Sequence, residues 1–206
     1  MNLVAFTVGS FVVYFLVIGF LWSRYRDHRD YWYAFIGITL MSPIEWIPCA
    51  YIFFCNYNTD FVMAFDNWPI WMPTAYVWFY FIPLLICLRL KDKIDSVPLF
   101  WRVIMLYSIF WIWDFWVEYP ATTIGHWTLG WNPESMIDGR LPWVTPTATA
   151  IGNVMVYFAH SIALKYSTPV KEWGKGFRIH LLAYVTGWTL LMGFEIPMAK
   201  LLNLPW

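Results

Sequence analysis

Charged residues are scarce in this sequence, and their scarcity excludes an ordinary soluble domain. Only 13% of the 206 residues are charged, whereas 60% are hydrophobic. A soluble domain carries about 25% charged residues. The formal net charge is zero, so nothing indicates nucleic acid as a partner. The composition predicts a multi-pass integral membrane protein, whose partners are the lipid bilayer and a lipophilic small molecule.

Cysteines and ligand-binding motifs are also few. The three cysteines, Cys49, Cys55 and Cys87, show no CxxC spacing, so they predict neither a disulfide framework nor a zinc site. We expect them to be buried packing residues. Histidines and acids do not recur at metal-ligand spacing, and the nucleotide-binding glycine motifs and the nucleophile elbow are absent. The sequence therefore predicts no metal and no cofactor.

Long apolar runs, by contrast, are abundant. A membrane-crossing helix needs about 20 mostly apolar residues, and six segments approach or exceed that length: 3–23, 31–55, 75–90, 99–119, 146–166 and 178–201. No internal repeat or linker separates them. The expected fold is therefore an all-α membrane protein, a single domain over 1–206 with a bundle of about six transmembrane helices. The first run lacks a basic leader and a cleavage site, so we expect it to be a retained span.

The connecting loops alternate in charge, and this alternation predicts the orientation. Loops one, three and five, with Arg102, hold eleven of the thirteen Lys and Arg. Loops two (56–74) and four (120–145) hold only Arg140. The positive-inside rule places the basic loops in the cytoplasm and both termini on the non-cytoplasmic side. The expected location is a bacterial inner membrane or the endoplasmic reticulum.

Several acids interrupt these apolar segments. Counted at the helical rise, Glu45, Asp114 and Glu195 lie roughly 22 to 26 Å above the cytoplasmic ends of their helices. Asn153 falls at about the same level, and Glu118, in the stretch FWIWDFWVEYP, lies one turn above Asp114 near the outer mouth. A charge at the bilayer centre costs about 2.5–3.5 kcal/mol, and no Lys or Arg lies at this level. At least some of these acids are therefore expected to hold a proton.

The same acids also have a structural interpretation. Hydrogen bonds between helices would satisfy Asp114 and Glu118, and Glu118 would also reach interfacial water. Three acids at one depth favour function, because intramembrane acids usually face a cavity or a partner. Prolines next to the acids favour a cavity, with ordinary helix bending as the alternative. The prolines that interrupt helices are Pro43, Pro48, Pro83 and Pro197.

A membrane pocket of aromatic rings and protonated acids suits proton-initiated chemistry on a lipophilic substrate. A carboxylic acid protonates an alkene or epoxide, aromatic faces stabilise the carbocation, and apolar walls exclude water. The candidate acids and bases, with the roles of donor and base left open, are Asp114, Glu45, Glu195 and Glu118. The candidate substrate-binding residues are Trp46, Trp111, Asn153, Tyr157, Trp188, Met192, His126 and Trp127.

Some of these motifs resemble those of small polytopic isoprenoid cyclases. Glu45-Trp46 and Glu195 resemble the acids in the second and last helices of the fungal-type meroterpenoid membrane terpene cyclases, although the usual order there is Trp before Glu. The resemblance implies a metal-independent cyclase of a prenylated or terpenoid substrate.

A second resemblance is to the integral-membrane lycopene cyclases. Asp114, the motif GHW at 125–127 and the motif GRLP at 139–142 resemble their pattern of a helix acid, a Gly-x-Trp and a Gly…Leu-Pro turn. The sequence WVT follows at 143–145, where those cyclases have two glutamates.

Three other functions remain open. A sterol-like alkene isomerase would use the same acid and base without forming a ring. A proton-coupled carrier of a lipophilic small molecule would relay protons through the acids, although many carriers show an internal repeat that this sequence lacks. A non-catalytic lipid-binding or assembly subunit is the third.

Overall fold

The computed structural model describes residues 3–28, 31–40, 55–65, 68–130 and 136–167. It also describes five isolated helical positions, Arg178, Leu182, Thr186, Gly193 and Pro197. Five residues of the predicted site lie outside the described residues: Glu45, Trp46, Trp188, Met192 and Glu195.

Helices make up most of the described chain. They are α1 (Leu3–Tyr25), α2 (Tyr31–Leu40), α3 (Met72–Arg89), α4 (Lys91–Asp95), α5 (Leu99–Thr123) and α6 (Val144–Ser167). Within the described ranges, α1, α3 and α5 are long and apolar enough to cross a membrane. The predicted helical class and membrane-length helices are to this extent confirmed.

The observed helices follow the predicted segments with small shifts at their ends. The third segment begins three residues earlier than predicted, at Met72, and the fourth continues through Pro120 to Thr123. The predicted end of the second segment, at residue 55, is wrong. Cys55 belongs to a β-strand, because its backbone pairs with a distant segment instead of continuing a helix.

The loops contain short strands that an all-α prediction omits. Strand β1 (Cys55–Tyr57) pairs antiparallel with β4 (Trp127–Leu129), and this pairing joins loop two to loop four. Two hairpins complete the set: β2 (Met63–Phe65) with β3 (Trp68–Pro69), and β5 (Met136–Ile137) with β6 (Leu141–Pro142). Backbone N–H and C=O groups in buried loops need partners, and these ladders supply them at one end of the bundle.

A π-helical turn precedes the proline inside α3. The turn covers Val77–Phe81, and the N–H of Ile82 bonds to the Val77 carbonyl, five residues back. Pro83 follows directly and has no N–H to donate. Single π turns are frequent at functional sites, and this one carries the buried aromatic residues Phe79 and Tyr80.

The helices α1 and α5 expose much of their apolar surface, whereas α3 is mostly buried. Phe15, Leu16 and Trp22 on α1, and Trp101 and Trp116 on α5, are each more than 60% exposed. Apolar surface of this extent marks a membrane or partner surface in a stable protein. It is the surface that a lipid-facing helix requires.

Candidate functional site

The buried face of α5 carries both acids of the stretch FWIWDFWVEYP. Asp114 is 2% exposed and shares this face with Phe110 and Ala121. Glu118 follows four positions later, so its side chain projects from nearly the same side one turn further along. The helix therefore directs two carboxyl groups towards the interior of the bundle.

A cavity lies beside Glu118, between α3, α5, α6 and the β1–β4 ladder. Its volume is about 530 Å³ including the open mouth, and the centre of a water molecule has access to about 50 Å³ of it. Six aromatic side chains line it: Tyr57, Trp71, Tyr76, Phe79, Tyr80 and Trp127. The other lining residues are Cys55, Met72, Glu118, Leu129, Thr145 and Thr149. Glu118 supplies the carboxyl group of this cavity.

Trp127 holds the carboxyl group of Glu118 in place. Its indole Nε1 donates a hydrogen bond to Oε2 of Glu118 at 2.7 Å. Trp127 is itself 3% exposed and fixed in strand β4, opposite Tyr57 of β1. This hydrogen bond engages Oε2 and leaves Oε1 as the oxygen that Trp127 does not contact.

A glycine turn brings Trp127 back towards α5. Gly125 has φ +73°, a conformation that residues with a side chain rarely adopt. Its N–H bonds to the Thr122 carbonyl, and the His126 N–H bonds to the Ala121 carbonyl. These two bonds form a Schellman motif, which ends the helix and reverses the chain. The motif explains how Trp127, in loop four, reaches Glu118 of α5, nine positions earlier.

His126 lies beside Trp127 in an aromatic cluster. Its ring is 1% exposed and packs against Phe6 and Phe61, with ring centroids 4.7 and 5.7 Å away. Neither ring nitrogen has a hydrogen-bond partner among the residues that the structure describes. Burial lowers the pKa of the His126 imidazole, so the ring is neutral at pH 7. It supports Trp127 from outside the cavity.

Trp111, a predicted cation-stabilising residue, lies on a neighbouring face of α5. Its indole Nε1 donates to the Thr147 Oγ1 at 3.3 Å, and its ring stacks on Phe115 at 5.4 Å. The hydrogen bond to Thr147 joins α5 to α6. The structure does not bring Trp111 to the cavity.

Two predicted residues of α6 also lie away from the cavity. Asn153 is buried and donates its Nδ2 to the Thr149 carbonyl at 3.1 Å. The Tyr157 hydroxyl donates to Asp95 Oδ1 at 3.2 Å, at the loop-three end of the bundle. The α6 residues that do line the cavity are Thr145 and Thr149.

The sequence prediction missed the contributions of loop two and α3. Cys55 and Tyr57 line the cavity on strand β1, which pairs with β4, and Trp71 lines it from the start of α3. The available signal was that loops two and four are both aromatic-rich and were predicted on the same side. Burial raises the pKa of the Cys55 thiol, so this side chain lines the cavity as a neutral, unreactive group.

No family model, curated protein or solved structure matches this chain.

Proposed function

We propose that the protein is a membrane-embedded enzyme that cyclises a prenylated or terpenoid substrate by proton transfer from Glu118, without a metal or cofactor. The observation that carries this proposal is one carboxyl group in a cavity lined by six aromatic side chains. The proposed architecture is a bundle of about six transmembrane helices with both termini on the non-cytoplasmic side.

The hydrogen bond from Trp127 decides which oxygen of Glu118 gives the proton. Oε2 accepts the indole N–H, so in the protonated acid the hydrogen sits on Oε1. A general acid needs its proton within reach of the substrate atom that receives it. After transfer, the same indole N–H stabilises the carboxylate that remains.

The aromatic lining suits the cation that follows. An aromatic face contributes about 0.5–2 kcal/mol to a nearby positive charge. Tyr57 and Trp71 lie 5.9 Å apart between ring centroids, and Tyr76 and Tyr80 lie 5.1 Å apart. A cation that moves along the chain of the substrate therefore meets several rings in turn. This arrangement favours a cyclisation cascade over a single proton shift.

A second carboxyl group is the candidate for removing the last proton. Asp114 is buried and lies one helical turn before Glu118, on nearly the same side of α5. Glu45 and Glu195 remain candidates from the sequence for the same role. Glu118 itself also becomes a base once it has given up its proton.

The test is conversion of substrate in the presence of a metal chelator. Purified protein in detergent is incubated with linear prenylated alkenes and their epoxides, and the products are identified by NMR. Replacing Glu118 by Gln keeps an acceptor for Trp127 but removes the transferable proton. We expect Glu118→Gln to lower the rate at least about 100-fold. Asp92→Asn, which removes an exposed acid in α4, is the matched control and should leave the rate unchanged.

Each rival function has its own outcome. Conversion by Glu118→Gln at the wild-type rate would remove Glu118 from the reaction, and Asp114→Asn measured in parallel would show whether the deeper acid takes its place. A product with a moved double bond and no new ring would indicate an isomerase. Flux driven by a pH gradient in sealed vesicles, without conversion, would indicate a carrier.

A further inference from the structure

Two residues that line the Glu118 cavity carry buried polar atoms without a partner among the described residues. Trp71 is 0% exposed and Thr145 is 7% exposed. The Trp71 indole N–H and the Thr145 hydroxyl have no hydrogen-bond partner among the described residues. Both residues line the cavity together with Glu118. Because a buried polar group without a partner destabilises a protein, these atoms call for a partner that the cavity accepts.

The open volume of the cavity and its unpartnered polar atoms match water. About 50 Å³ of the cavity is open to the centre of a water molecule, and one buried water needs roughly 10–15 Å³. A buried water usually makes about three hydrogen bonds. The Trp71 indole N–H can donate one hydrogen bond to the water, and the Thr145 hydroxyl can donate or accept another. Oε1 of Glu118 is the third partner.

We infer that the cavity binds a water molecule between Trp71, Thr145 and Glu118, and that this water captures the carbocation to give an alcohol. The inference rests on the proposed function, and it specifies how the cation is consumed. The aromatic rings that line the cavity stabilise the cation until this water captures it.

The atoms of this reaction balance without any further reagent. Glu118 transfers its proton from Oε1 to one alkene carbon, and the π electron pair forms the new C–H bond. The cation left on the other carbon moves through any ring closure and then accepts a lone pair from the water oxygen, which forms a C–O bond. One proton of that water returns to the Glu118 carboxylate. The net change is the addition of one water to the substrate.

The experiment follows the oxygen of the solvent. Farnesol, geranylgeraniol and squalene are each incubated with the wild-type protein in water enriched in heavy oxygen, and the products are analysed by mass spectrometry. We expect a product that is one water heavier than the substrate and carries the heavy isotope. Thr145→Val keeps the shape of the side chain but removes the hydroxyl, so the ratio of alcohol to alkene should fall about tenfold.

Ser161→Ala is the matched control for Thr145→Val. Ser161 lies on the same helix, and its hydroxyl is also buried without a partner among the described residues, but it does not line the cavity. Its replacement should leave the ratio of alcohol to alkene unchanged.

The possible results separate this inference from the proposed function. Cyclic alkenes without heavy oxygen from the wild type would overturn water capture and leave the proposed cyclase standing. An unchanged ratio in Thr145→Val would overturn the placement of the water. Failure of the wild type to convert any of the three probes would count against both. If Thr145→Val does not fold, the wild-type isotope result alone decides.

Discussion

Two carboxyl groups near opposite ends of α5 lie in opposite environments: Asp95, the last residue of α4, and Glu118 of α5. Near the beginning of α5, Asp95 accepts hydrogen bonds from Lys91, Arg102 and the Tyr157 hydroxyl. Near its other end, Glu118 accepts one hydrogen bond from a neutral indole and faces an aromatic cavity. Two cations and a phenol surround the first acid, whereas no cation pairs with Glu118 within the described ranges.

This difference decides what each acid is able to do. Partial burial raises the pKa of Asp95, but the hydrogen bonds and charges of Lys91 and Arg102, with the Tyr157 hydroxyl, lower it further and leave it below its ordinary range. Asp95 is therefore ionised at neutral pH and has no proton to give. A carboxyl group held by one neutral donor can exist in both protonation states, as acid–base catalysis requires.

The largest effect at the cavity end, after loss of the acid itself, is expected from Trp127. Trp127→Phe keeps an aromatic ring but removes the indole N–H that holds Glu118. A hydrogen bond worth about 1.5 kcal/mol corresponds to a fall in rate of roughly tenfold. Initial rates of product formation measure this effect. Trp116→Phe, on the exposed side of α5, should leave the rate unchanged, and an equal loss in both variants would contradict the role of Trp127.

The next effect concerns the turn that positions Trp127. Gly125 adopts φ +73°, and a Cβ added there meets no atom within 4 Å, so Gly125→Ala adds backbone strain without a clash. The strain should destabilise the protein by roughly 1–2 kcal/mol and displace Trp127, which lowers the rate. Thermal unfolding measures the loss of stability, and initial rates of product formation measure the loss of activity.

Gly139 provides the control for this prediction. It has φ +67° in the β5–β6 hairpin and also has open space around an added Cβ. Gly139→Ala should lose a similar amount of stability with little change in rate. If both variants lose activity equally, the turn at Gly125 has no special connection with Glu118.

The helices were predictable from the sequence because each long apolar run carries its own signal. α1, α5 and α6 follow the predicted segments to within four residues at each end. The strands carry no such signal. Cys55–Tyr57 pairs with residues about 70 positions later, and a three-residue strand is too short for its pattern to predict a partner.

The cavity position was only partly predictable for a similar reason. Counting along helices placed Asp114 at the depth of Glu45 and Glu195, and Glu118 nearer the mouth. In the structure Asp114 is buried, and Glu118 is half-buried and lines the cavity. Depth along a helix does not tell which residues line a space. The Schellman turn at Gly125 folds loop four back onto α5, so the described cavity begins beside Glu118, one turn above Asp114.

The smallest effect is expected at the other end of α5, from Asp95→Asn. The Asp95 side chain is 36% exposed, so solvent screening limits its ion pairs to less than about 1 kcal/mol. The pKa of Asp95 is lower in the folded state than its unfolded value of 3.8, so the ionised carboxyl group stabilises the fold at pH values above 3.8. That stability is lost as the pH falls through the lower folded value.

The contribution of the Asp95 carboxylate to stability is measured by unfolding the wild type and Asp95→Asn across a series of pH values. The wild type should be slightly more stable than Asp95→Asn at pH 7, and the difference should shrink as the pH falls below 3.8. Product formation at pH 7 should be the same in both, because the ion pairs at Asp95 support the fold and take no part in proton transfer. A loss of rate in Asp95→Asn as large as that of Trp127→Phe would show that the two ends of α5 are coupled, and the contrast between them would then fail.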